Sequence, residues 1–159
     1  MKVIVSDSSP LIALLNINQL DLLKLLFKEI IIPPVVASEI EAGEGENSLW
    51  FANKNAAFIR TETISLPDKR LAILELQLDK GESEAILLAN QLKLPLLIDE
   101  RAGRNMAKSM GIEIVGLVGV LLALKQGGHI THHDVISIVD TLEQVHFRMS
   151  KSLKALLLT

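Results

Sequence analysis

An α/β fold with a mainly parallel central sheet and helices on both faces is predicted here by three observations. Short apolar runs recur at Val3–Val5, Ile30–Ile32 and Pro95–Ile98, a pattern suited to strands buried on both faces. Between them lie longer stretches with helical periodicity. Proline and glycine separate the two kinds of segment, at Pro33, Pro34, Gly43, Gly81, Gly111, Gly127 and Gly128. Strands alternating with helices imply a parallel sheet.

The elements follow in order. Lys2 to Ser6 reads as the first strand. Ser9 as N-cap and Pro10 at the first helical position then start a helix through Leu15. Gln19 to Phe27 reads as a second helix, with Leu20, Leu23 and Phe27 on one face. Glu29 to Ile32 is a strand stopped by Pro33 and Pro34, and Val35 to Ala42 a helix ended by Gly43. Residues 43–47 form a loose connection, and 48–57 a further helix. Phe58 to Thr63 alternates as an edge strand does. Asp68 caps a helix from Lys69 to Leu78, and Gly81 separates it from the helix Glu82–Leu92. Pro95 to Ile98 is a buried strand, Glu100 to Met110 a helix, Glu113 to Val115 a short strand and Gly116 to Gln126 a helix. Thr131–Val145 and Ser150–Leu158 complete the chain as two helices, an appended element of a single 159-residue domain.

Composition narrows the function. Hydrophobic residues make up 49%, so a packed core is expected. Aromatics are 3%, which disfavours base stacking as a main mode of nucleic-acid binding. The absence of cysteine removes thiolate catalysis, thiolate zinc sites and disulfides, and fits a reducing, cytoplasmic setting. No signal-peptide layout or transmembrane-length run is read in the chain. The net charge of -3 argues against a general nucleic-acid coating protein. It leaves room for a nucleic-acid enzyme whose acids bind metal.

The acids occupy unusual places. Asp7 follows the first strand, at the edge where open α/β sheets bind ligands. A carboxylate beside apolar walls needs a partner, such as a metal ion; an Asx turn is the plain alternative. Glu39 lies on the apolar face of its helix, and Glu82 beside the small apolar stripe of Ala85, Ile86 and Ala89. Their plain alternatives are a snorkelling side chain and a macrodipole partner. Asp99 and Glu100 close the strand Pro95–Ile98, where Asp99 could equally cap the next helix. Hard cations such as Mg²⁺ or Mn²⁺ take carboxylate oxygens, and a nuclease site needs several acids converging.

The segments VSDSSPLIAL, IIPPVVASEI, GESEAILLA and LLIDERAGRNMAKSMG, in this order, resemble the PIN domain. They are most similar to small prokaryotic PIN-like proteins related to VapC-type toxin–antitoxin ribonucleases. The resemblance continues through GLVGVLLALKQGG and HFRMSKSLKALL. It implies a PIN-like three-layer α/β sandwich and Mg²⁺- or Mn²⁺-dependent cleavage of RNA. Asp7 carries over as the first-strand metal ligand, Glu39 as the helix acid and Glu82 as the third acid. Many members have Thr-X-Asp after the strand; here the stretch is Ile98-Asp99-Glu100, so either Asp99 or Glu100 fills the fourth place.

Arg101, Arg104 and Lys108 recur at helical spacing after these acids, a basic stripe suited to RNA phosphates or an ordinary solvated face. Ser8 and Ser9 could orient water at a metal, or simply start the helix. Thr131 and Asp134 form a Thr-X-X-Asp capping pattern, which accounts for His129, His132 and His133 as helix-start residues rather than zinc ligands. His146 is expected to be structural. The apolar helix Gly116–Gln126 and the tail leucines Leu153, Leu156, Leu157 and Leu158 suggest a shared surface, and with the resemblance a twofold homodimer. A metal-dependent ribonuclease is the leading reading, with a small antitoxin protein as an implied partner. A PIN-like interaction module without chemistry is the second. A phosphoacceptor domain is the third, disfavoured because no lysine follows a later strand.

Overall fold

The structure is a computed structural model that describes residues 2–44 and 58–159. The helix expected at 48–57, and most of the connection before it, lie outside the described residues. The elements are β1 (Lys2–Ser6), α1 (Ser8–Asn16), a 3₁₀ turn (Leu20–Leu25), β2 (Phe27–Ile32), α2 (Pro34–Glu44) and β3 (Ile59–Thr61). Then come α3 (Arg70–Glu75), α4 (Lys80–Leu92), β4 (Leu96–Leu97), α5 (Arg101–Ser109) and β5 (Ile114–Val115). Helices α6 (Leu117–Gln126), α7 (His132–Gln144) and α8 (Lys151–Leu158) finish the chain.

The five strands form one sheet in the order β3-β2-β1-β4-β5, and every described pairing is parallel. Strand β1 is central. Val5 lies opposite Ile31 on one side and Leu96 on the other. Ile4, Val5, Ile30, Ile31, Ile32, Leu96 and Leu97 are buried, as strands covered on both faces require. Flanking helices supply the cover. Helix α4 is buried continuously from Ala85 to Ala89 and packs on β1. The chain runs from β1 to β2 and β3 on one side, and returns to β4 and β5 on the other. The sheet order therefore reverses between β1 and β4, and the crevice past their carboxyl ends is where such sheets bind ligands.

Several local expectations differ from the fold. Helix α1 begins at Ser8, with Asp7 in the N-cap position, rather than at Pro10 with Ser9 as cap. Proline is tolerated in this first turn because those N–H groups have no helical partner. Gln19 to Phe27 is not one helix: Leu20–Leu25 is a 3₁₀ turn, and Phe27 already pairs with Lys2. That ladder overrides the local helical pattern. Gly43 lies within α2, which runs to Glu44. Gly81 does not break a helix either; it sits in the first turn of α4, whose N-cap is Asp79. Helix α3 ends at Glu75, and Asp68 Oδ1 accepts the Arg70 N–H at 3.0 Å at its start.

The last helices pack on the domain. The expected Thr131–Asp134 capping box is formed in both directions, at 3.0 and 2.8 Å. His146 is exposed and has φ 64, a left-handed turn after α7 rather than a core position. Leu157 is fully buried, and Lys125 Nζ donates to the carbonyls of Leu157 and Thr159, each at 2.9 Å. Leu117, Val118, Val120, Leu121 and Leu124 of α6 are buried within this chain. Most of the apolar circumference of α6 is thus covered internally, chiefly by α7 and α8, while Leu122 is half-buried. Of the tail leucines, Leu153 and Leu156 are exposed. No helix among the described residues is long and apolar enough to cross a membrane.

Candidate active site

Asp7 is placed by the end of β1. Its backbone N–H donates to Leu97 O of β4 at 3.0 Å, and the Ser6 hydroxyl donates to Asp7 O at 2.8 Å. Its side chain makes no capping bond although it holds the N-cap position. The residue is 2% exposed, so its carboxyl is effectively out of water. Burial pushes its pKa up to about 7; the Ser8 N–H opposes the shift, and the charges of Asp79, Glu39 and Glu100 add to it.

Glu39 projects from α2 toward the start of α4. Burial raises its pKa, Asp79 and Glu84 reinforce the rise, and the nearby Ser8 hydroxyl opposes it. Glu39 Oε1 is buried without a hydrogen-bond partner. It presses on Gly81 so closely that a Cβ there would collide with it.

Glu82 sits one residue further along α4 and is 7% exposed. Asp79 Oδ1 accepts its backbone N–H at 2.8 Å. Burial pushes the Glu82 carboxyl up to about 8, with the adjacent Asp79 carboxyl and the charges of Asp7 and Glu100 as further causes. Its Oε2 is buried and unpartnered, 2.8 Å from where a Cβ on Gly103 of α5 would lie.

The Asp99–Glu100 pair divides. Asp99 does not cap α5; Glu100 takes that N-cap position, without a side-chain bond. Asp99 Oδ1 instead accepts the Leu117 N–H at 3.1 Å, at the start of α6. Burial raises the Asp99 pKa, while the Leu117 N–H and the Arg104 charge oppose the shift. Asp99 Oδ2 is buried without a partner. Glu100 is exposed, and its charge acts on both Asp7 and Glu82.

Asp7, Glu39, Glu82, Asp79 and Glu100 are thus one electrostatic neighbourhood at the carboxyl edge of the sheet. Its donors are all carboxylates, the chemistry hard divalent cations prefer, and Glu39 and Glu82 offer unpartnered buried oxygens. The donor set fits such an ion. As the side chains stand, no group of three or more His, Asp or Glu among the described residues is arranged to hold one.

Beside these acids a groove of about 960 Å³ runs between α5, the start of α6 and residues 146–156. Ser9 and Glu100 are part of its lining. So are the expected basic residues Arg101, Arg104 and Lys108. Arg104 also donates to Ile98 O at 2.9 Å, which fixes the arginine on the strand end. Arg148 lines the same groove from the C-terminal segment.

Two charged residues escaped the sequence reading. Asp79 was legible in principle, since Asp79-Lys80-Gly81-Glu82 has the spacing of an N-cap acid followed three residues later by Glu. Arg148 carries no local signal; the fold of the tail brings it to the groove.

The chain matches a family model described as "PIN domain" over residues 3–159. No curated protein matches it. Among solved structures it is similar to a PilT N-terminus domain protein from the hyperthermophilic archaeon Sulfolobus solfataricus P2. The two are 19% identical with a TM-score of 0.53, over 77% of this chain and 92% of the other. That likeness concerns the fold alone. With the family match covering nearly the whole chain and the parallel sheet in agreement, the chain belongs to the PIN-domain family.

Proposed function

We propose that this PIN domain is a divalent-metal-dependent endoribonuclease. The observation that carries the reading is the gathering of buried Asp7 and Glu82 with Glu39 past the carboxyl ends of β1 and β4. Buried acids with raised pKa values cost stability, and sites of function are where such a cost is ordinarily retained. The family is of nuclease type, which agrees with a phosphodiester substrate.

In this reading Asp7, Glu39, Glu82 and Glu100 hold Mg²⁺ or Mn²⁺. Glu100 is preferred over Asp99 as the fourth acid because its charge acts on Asp7 and Glu82, whereas an oxygen of Asp99 is taken by Leu117 N–H. The bound ion supplies charge neutralisation at the scissile phosphate and a water of lowered pKa. The chain's own part is to hold Asp7 and Glu82 apart from water and to orient the RNA strand. Ser8 lowers the proton affinity of Glu39, and Arg101, Arg104, Lys108 and Arg148 offer charge to phosphates along the groove.

Incubation with end-labelled single-stranded RNA and Mn²⁺ tests the reading. Cleavage that disappears with chelator and with Asp7→Asn supports it. Cleavage unaffected by Asp7→Asn would contradict it. An interaction module without chemistry is the second reading, favoured by the lack, among the described residues, of three acids already arranged around one point. It predicts no cleavage by the folded wild-type chain. A toxin role with an antitoxin partner rests on the motif resemblance, and a small gene directly beside this one would support it. A homodimer would draw on the exposed Leu153 and Leu156.

A further inference from the structure

Among the described residues, three acids end on a glycine at the start of a later helix. Glu39 lies on Gly81 of α4, Glu82 on Gly103 of α5 and Asp99 on Gly116 before α6. A Cβ at Gly81 would collide with Glu39 Oε1 and stand 2.8 Å from its Cδ. One at Gly103 would stand 2.8 Å from Glu82 Oε2 and 2.6 Å from Ile98 Cδ1. Real Cβ atoms do not come so close to other heavy atoms, so the side chains would have to move.

Gly81 and Gly103 are not needed for the backbone. Both lie in the first turn of regular helices, and neither is among the described glycines with positive φ, which are Gly111 and Gly128. Any residue could adopt their conformation, and alanine would favour the helix. What each glycine supplies is space, filled by Glu39 at Gly81 and by Glu82 together with Ile98 at Gly103. The same placement sets the acids beside helix N-termini, where negative charge is favoured.

We propose that Gly81 and Gly103 are positioning residues of the acidic site, their missing side chains fixing where the carboxylates of Glu39 and Glu82 stand. This rests on the proposed divalent-cation reading. A methyl group at either position rotates the carboxylate away and weakens cation binding while leaving the helix intact.

The test is calorimetric titration of the full chain with MnCl₂, using Gly81→Ala and Gly103→Ala, and as a comparison Gly119→Ala in α6, where a Cβ would press on Val115 Cγ2 at 2.9 Å and on no carboxylate. Gly81→Ala and Gly103→Ala weaken Mn²⁺ binding about tenfold or more, the scale at which residues supporting metal ligands act. Gly119→Ala changes it less than about twofold on the same scale. With Glu39→Gln already present, Gly81→Ala adds no further loss. Wild-type affinity in both glycine variants overturns the proposal, as does an equal loss with and without the Glu39 carboxylate. If the wild-type chain binds no Mn²⁺, the cation reading fails and metal-free melting judges the packing alone. Gly81→Ala must then lower the melting temperature less in a Glu39→Ala chain than in the native one. If Gly81→Ala does not melt cooperatively, Glu39→Ala must restore the transition; failure to do so also overturns the proposal.

Discussion

Asp79 Oδ1 accepts the backbone N–H of Glu82 at 2.8 Å, so one acid of the site caps the helix that carries another. The cap stabilises α4, while the Asp79 charge raises the proton affinity of Asp7, Glu39 and Glu82. The two roles can be separated. Asparagine caps about as well as aspartate but carries no charge. Asp79→Ala is expected to lower stability by about 0.5–2 kcal/mol, and Asp79→Asn by much less. Urea denaturation of both variants checks this; equal losses would show that the cap is not what Asp79 contributes.

Stability of the metal-free protein should fall as pH rises from about 4 to about 8. Asp7 and Glu82 have folded-state pKa values of about 7 and about 8, above those of an unfolded chain. Between the unfolded and folded values the native state binds more protons, so stability decreases with pH through this window. The opposite shifts of Asp68 and Asp134 act in the acid range, where lowered carboxyls lose their contribution as pH falls. Urea midpoints in chelator at pH 5 and 7.5 measure the slope. In Asp7→Asn the slope becomes shallower; an unchanged slope would remove Asp7 from the cause.

The tail should be part of the core. Leu157→Ala is expected to cost about 2–5 kcal/mol, the usual range for emptying a fully buried leucine site. Leu156→Ala, at an exposed position, should change stability by less than about 0.5 kcal/mol in the monomer. Thermal melts at two protein concentrations, with light scattering, compare the two. A large, concentration-dependent loss for Leu156→Ala would instead place that leucine in a homodimer contact.

Much of this was readable in the chain, for reasons that particular residues make clear. Val3–Val5 and Asp7 were legible because a buried strand and the acid after it are adjacent in sequence. The Thr131–Asp134 box was legible because both of its hydrogen bonds are local. Gln19–Phe27 misled because its leucines have helical spacing, while the pairing of Phe27 with Lys2 depends on a distant strand. The Asp99 cap misled for a similar reason: its partner, Leu117 N–H, lies eighteen residues on, at a helix start the local sequence does not tie to it. Gly81 looked like a helix breaker, since no sequence pattern shows that Glu39 needs its space.

Exchange of the fourth acid separates Asp99 from Glu100. Glu100→Gln is expected to weaken Mn²⁺ binding with little change in stability, because Glu100 is exposed and makes no side-chain cap bond. Asp99→Ala is expected to lower stability by about 1–3 kcal/mol through the lost bond to Leu117 N–H. Calorimetry and urea denaturation on both variants read the two effects; the reverse assignment would make Asp99 the ligand.

The most direct measurement is the melting temperature of wild type and Asp7→Asn, with and without Mn²⁺. A cation held only by the native state stabilises it by mass action, by about 2.7 kcal/mol at a hundred times the dissociation constant. The account predicts a clear rise for the wild type that saturates with Mn²⁺, and little or none for Asp7→Asn. No rise in the wild type, or an equal rise in both proteins, would contradict it.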